Sequence, residues 1–173
     1  MKFCMEYGDT NFIGLVNAER YESFVDEDWE LDGLLGHFAA EMKKGTILAG
    51  QMTEEGIEHS WRIEVRLGME LFIPDFVKKA EGYIRVTNER LYLVDYGCLT
   101  MAAQFEDENV PDENGAQNEI KLENGVYRVE ITQFYDADRD EYRGTDETDL
   151  LVNLVKVPAF RQNPDGVFWC IYK

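Results

Sequence analysis

The chain has 173 residues, 45% hydrophobic and 13% aromatic, which excludes a disordered protein and leaves room for a real core. Its formal charge of −18 excludes direct binding to a nucleic-acid backbone, itself a polyanion, and favours basic partners. No segment has the ~20 consecutive apolar residues that would span a bilayer, and the start lacks the apolar run of a signal peptide.

Taken in chain order, residues 2–6 and 12–16 read as weak strands. An acidic lead, 19–32, follows, with seven acids against one base. It enters a helix over about residues 29–44, with Asp28 as the expected N-cap and Leu31, Leu34, Leu35, Phe38 and Met42 at helical spacing. Lys43 and Lys44 suit the negative end of the helix dipole, and Gly45 ends the helix. Gly33 and Gly36 weaken it, which suggests close packing against a sheet.

From there the chain reads as strands. "GTILAGQM" is followed by "HSWRIEVRL", in which Trp61, Ile63, Val65 and Leu67 alternate with Arg62, Glu64 and Arg66, the period of a sheet with one wet face. "EGYIRVTN", "RLYLVDYG", "GVYRVEITQF", "LLVNLVKVP" and "VFWCIYK" complete the set, with turn signals at 87–89, 123–125 and 163–166. One principal helix among so many strands predicts an α+β, mainly β fold: an antiparallel sandwich or curved sheet, as a single domain over 1–173. Cys4, Cys98 and Cys170 are odd in number, far apart and set in apolar stretches, as expected for buried, reduced thiols in a cytoplasmic protein. Cys98 is the least obviously buried of them.

Nearly all the net charge falls in three connecting segments: 19–32, 104–125 and 136–149. In the last, Asp136, Asp138, Asp140 and Glu147 stand at positions 1, 3, 5 and 12 of a calcium loop. Glu141 replaces the glycine such a loop needs at position 6, Arg143 replaces the apolar residue at position 8, and the flanks read as strands. A solvated hairpin is therefore preferred, with these four carboxylates kept as metal candidates. Catalysis finds no constellation and no cofactor is called for: GxSxG, P-loop, GxGxxG and HExxH motifs are absent. His37 reads as a helix-surface histidine. His59 and Ser60, as neighbours on a strand, are expected to point to opposite faces. Tyr135 and Tyr142 bracket the acidic loop as candidate exposed aromatics. Together with Asp136, Asp138, Asp140 and, on the 105–118 loop, Glu106, Asp107 and Glu108, they form the expected contact surface for a basic protein.

The order "DWELDGLL", "GTILAGQM", "HSWRIEVRL", "GYIRVTNERLYLVDYG", "LENGVYRVEI" and "LLVNLVKV" over residues 28–157 resembles the ComJ family of competence proteins. The "ENGVYRV" turn and strand is also similar to small bacterial immunity proteins. The resemblance implies a compact β-rich bacterial protein that binds and inhibits a nuclease, with no catalytic residues to carry over. The loop "FEDENVPDENGAQN" and the tail "NPDGVFWCIYK" depart from that pattern. The expected function is a non-catalytic inhibitor or immunity-type partner of a basic nuclease or toxin. Two alternatives stay open, a divalent-metal or small-molecule binder and an accessory domain without a dedicated partner; the oligomeric state is undetermined.

Overall fold

Eleven strands and two α-helices build the fold in the computed structural model, which describes residues 1–6 and 8–172. The strands are β1 (Lys2–Met5), β2 (Phe12–Val16), β3 (Ile47–Gln51), β4 (Trp61–Leu67), β5 (Lys78–Val86), β6 (Arg90–Asp95), β7 (Glu119–Lys121), β8 (Gly125–Gln133), β9 (Tyr135–Asp136), β10 (Glu141–Tyr142) and β11 (Leu150–Val157). The helices are α1 (Leu31–Lys44) and α2 (Tyr96–Gln104). Two sheets carry the core, one ordered β1-β4-β11-β8-β5 and the other β3-β2-β6-β7, while β9 and β10 form a separate small hairpin. The α+β, mainly β architecture expected from the sequence is the one observed. Its pairings are antiparallel except for β11, which runs parallel to β4 with Val152 beside Val65.

The alternation in β4 explains its place. Trp61, Ile63 and Val65 are buried, while Arg62, Glu64 and Arg66 face the outer, wetter side of the five-stranded sheet. In contrast β2 and β3 are buried at every position, because their sheet is covered on both faces. One face meets the five-stranded sheet; α1 packs against β3 and α2 against β2 and β6 on the other. Phe12 of β2 stacks on Tyr96 at the start of α2, with ring centroids 4.9 Å apart. Both sheets and both helices contribute to one apolar cluster, from Leu34 and Phe38 through Leu48 to Trp61, Val129 and Val152. Each large side chain buried there is worth about 1.5–3 kcal/mol.

Several local expectations change. The N-cap of α1 is Glu30, which makes no side-chain capping bond; Asp28 lies outside the helix, its N–H donating to Asp26 at 2.9 Å. Gly45 does end α1, with φ 75° and its N–H returned to the last-turn carbonyls. Gly33 and Gly36 face open space, so no close packing explains them. The second helix, α2, continues directly from β6 where the sequence reads only a strand, and Asp95 caps it by accepting from the Cys98 N–H at 2.8 Å. Cys98 is the buried thiol; Cys4 is exposed and Cys170 half-buried. The "VFWCIYK" segment is no strand: among the described residues its pairing is one bridge, Phe168 to Gly50, and Lys173 lies outside the described residues. The tail instead seals edges. Asn163 accepts from Tyr83 N–H and donates to Tyr83 O at 2.9 Å and Met42 O at 2.6 Å, which closes the free edge of β5.

Candidate functional site

The hairpin β9–β10 stands on a buried polar hub. Asp149, fully buried at the entry to β11, accepts from the Arg62 backbone N–H at 2.8 Å, Arg62 Nη2 at 2.8 Å and His59 Nε2 at 3.1 Å. Burial alone would raise this carboxyl, but the Arg62 and His59 bonds outweigh it and hold Asp149 below the usual carboxylate range. Arg62 Nη2 also lies 2.9 Å from Tyr142 Oη and 2.7 Å from the Asp146 carbonyl. Aromatic rings fill the space above: His59 packs on Tyr135 at 4.3 Å and against Trp61 at 4.8 Å, and Tyr135 on Tyr142 at 4.6 Å. The acidic turn is therefore mounted on a rigid base, not left as a loose loop.

The sequence-expected residues occupy distinct places on it. Asp136 accepts from the backbone N–H of Asp138 and Arg139, which shapes the turn. Asp138 turns both oxygens onto the N–H groups of Glu54 and Glu55, at 2.9 and 3.0 Å, tying the hairpin to the 53–60 loop. Asp140 accepts from Tyr135 Oη at 2.8 Å. Glu147 lies apart, on the rim of a different cleft. The four metal candidates thus do not share one centre, and among the described residues no three His, Cys, Asp or Glu groups converge as a cation would need. Tyr142 is exposed as expected, but Tyr135 is buried and acts as a strut; burial, then its bond to Asp140, push its hydroxyl up to about 12. Because β4 begins only at Trp61, His59 and Ser60 do not project oppositely from a strand: both line one groove. Burial pushes the Cys98 thiol up to about 12 and also raises Cys4, so neither is activated as a thiolate.

Glu106, Asp107 and Glu108 are all exposed just past the C-terminal end of α2, beside the exposed Phe105. The 19–32 lead runs alongside: Val25 and Asp26 N–H donate to the Ala103 carbonyl at 2.8 and 3.2 Å. Two of the three acidic segments therefore adjoin. The hairpin is joined instead by Glu54 and Glu55 of the 53–60 loop, which the sequence reading did not count. A groove of about 490 Å³ is lined by Glu6, Thr10, Glu58 and His59, and it shares Glu6 with a second of about 260 Å³ reaching Asp95 and Asn114. Among the described residues, no carboxylate of 26–32 or 106–113 and none of Asp138, Asp140, Glu141, Asp146 or Glu147 lies in an ion pair. Four cations on the outer face of the five-stranded sheet are, in contrast, matched: Arg62 to Asp149, Arg66 to Glu64, Lys79 to Glu130 and Arg128 to Glu70, while Arg85 lies over the Phe160 ring.

A feature absent from the sequence reading crosses that outer face. Residues 68–77 form a strap pinned at its start by Gly68 N–H to Leu154 O (2.8 Å) and Asn153 Nδ2 to Met69 O (2.7 Å), and at its end by Val77 N–H to Gln133 O (2.8 Å). Phe72 at its middle is 90% exposed. Between the strap and the 144–148 turn lies a cleft of about 400 Å³, whose lining includes Glu64, Asp75, Phe134, Glu147 and Leu151. Gly144 closes one end against the Asp75 carbonyl; its φ of 81° and this contact leave no room for a side chain.

No protein-family model and no curated protein sequence matches the chain. Its fold is shared with the crystal structure of ComJ, inhibitor of the DNA degrading activity of NucA, from Bacillus subtilis: TM-score 0.53, 11% identity, covering 91% of this chain and 96% of that one. It is shared also with the crocagin biosynthetic gene J structure, at TM-score 0.56 and 12% identity, over 90% and 94% of the two chains. At such identities the likeness establishes the fold.

Proposed function

We propose that this chain is a non-catalytic acidic binding protein that inhibits a basic nuclease or toxin. The observation that carries the reading is the set of carboxylates left without cations on ordered loops, while Arg62, Arg66, Lys79 and Arg128 of the five-stranded sheet are each paired with a carboxylate in place. Nucleases hold phosphate in basic grooves, so such loops would meet them with complementary charge and accelerate encounter. Glu106, Asp107, Glu108, Asp140 and Tyr142 are assigned to contact; Asp136, Asp138 and Tyr135 hold the hairpin in shape. The fold shared with one nuclease inhibitor supports the same reading. Among the described residues, no helix is long and apolar enough to cross a membrane.

DNA cleavage by NucA, as the first probe, and then by basic nucleases of the source cell, tests it as the chain is added. The expected result is stoichiometric loss of cleavage by one of them, relaxing as salt screens the exposed charges. Undiminished cleavage by all of them at excess chain and low salt overturns the proposal.

A further inference from the structure

We infer that the cleft between the 68–77 strap and the 144–148 turn is a socket for one arginine side chain of the basic partner. The inference rests on the preceding proposal only for what carries that arginine. At about 400 Å³ the cleft is near the small end of ligand pockets, which run ~300–1,000 Å³. Its lining is divided as an arginine is divided. Ile73, Pro74, Phe134 and Leu151 offer an apolar wall for the aliphatic stem, and Asp75 and Glu147 offer carboxylates for the head. The one cation in the lining, Arg66, is committed to Glu64 at 2.7 Å, and the Glu64 carboxylate takes a second bond from Thr148 Oγ1 at 3.3 Å. Among the described residues Asp75 and Glu147 have no ion-pair partner, so the cleft carries uncompensated negative charge.

Phe72 supplies the second observation. A ring 90% exposed on an ordered strap gains nothing from its own fold. At the rim of an anionic cleft it is a platform for a guanidinium face. Arginine fits better than lysine because its planar fork can stack on the ring and bridge two carboxylates together. The strap is fixed at both ends and Gly144 abuts it at Asp75, so the socket exists before anything enters and little ordering is lost on binding.

The test is a ¹⁵N NMR titration of the whole chain with the peptide acetyl-Gly-Arg-Gly-amide, beside the lysine and citrulline peptides. Saturable shifts at residues 72–75 and 145–148 are expected with arginine, weaker ones with lysine, and none with uncharged citrulline. Asp75→Asn with Glu147→Gln should weaken binding about tenfold and Phe72→Ser about threefold; both variants change surface groups, and their spectra report whether the fold is kept. Shifts confined to 106–113 or 136–142, or equal binding of citrulline or lysine, overturn the inference. In the nuclease assay, full inhibition by the Asp75→Asn, Glu147→Gln variant sinks the socket and leaves the inhibitor standing. Arginine binding in the cleft by a chain that inhibits nothing sinks the inhibitor and leaves the socket.

Discussion

Asp149 shows how one side chain can organise an acidic surface. It is the carboxylate of its segment that is fully buried, and it is the one matched by a guanidinium, an imidazole and a backbone amide together. Its folded-state pKa is depressed, as are those of Glu64, mainly through Arg66, and of Glu41, where Lys44 and Thr46 overcome burial. A depressed carboxyl contributes stability that is complete above its unfolded value, about 3.9 for Asp, and that is lost as pH falls through the folded value. Asp95 works in the opposite sense, since burial raises it. With three groups against one, the protein should lose stability steeply on acidification below the ordinary carboxylate range. Asp149→Ala should cost about 3 kcal/mol at neutral pH in urea unfolding, because Arg62 and His59 lose their acceptor, and should flatten that acid dependence. An unchanged acid limb in the variant would remove Asp149 from the account.

At the scale of elements, the two solvent-facing glycines of α1 make a simple forecast. Gly36→Ala should raise stability by about 1 kcal/mol in chemical denaturation, since an added Cβ meets nothing; destabilisation would mean that the helix backbone is under a constraint not visible in its contacts. Strand alternation made β4, β5, β8 and β11 legible, and helical spacing with Gly45 made α1 legible. The start of α2 was hidden because "RLYLVDYGCLTMAAQ" passes from period 2 to helical spacing without a break. Asp95 three residues before Cys98 was the available N-cap signal. The tail misled because its aromatic composition suits a strand, whereas Asn163 and Trp169 satisfy the edge of β5 through side chains. Of the site, the acidic loops were plain from composition. Which hairpin tyrosine is buried depends on His59 and Trp61, and the cleft depends on the strap meeting Gly144; both are long-range facts that local pattern does not encode. The strap itself left one trace, an apolar run around Pro74 with no regular period.

Across the whole molecule, charge is sorted, not merely abundant. The acids of 26–32 sit at the N-terminal end of α1, where the helix dipole favours them, whereas Glu106, Asp107 and Glu108 follow the C-terminal end of α2, where it opposes them. The second group therefore costs stability, which suits a surface kept for contact. Self-repulsion and partner binding should then respond to salt with opposite signs. Raising sodium chloride from about 20 to about 300 mM shortens the Debye length severalfold; it should raise the melting temperature of the isolated chain while weakening any complex it forms. A melting temperature that falls with salt would mean that the paired cations of the sheet, not the free carboxylates, dominate the field.

The position of β11 bears on how the protein is made. This strand is among the last elements along the chain, yet it occupies the middle of the five-stranded sheet, between β4 and β8. On a ribosome, β2, β3 and β6 can assemble with α1 while β4 and β8 still await the strand that separates them. The larger sheet closes only when residues 150–157 emerge, so synthesis, not local preference, sets the order of its assembly.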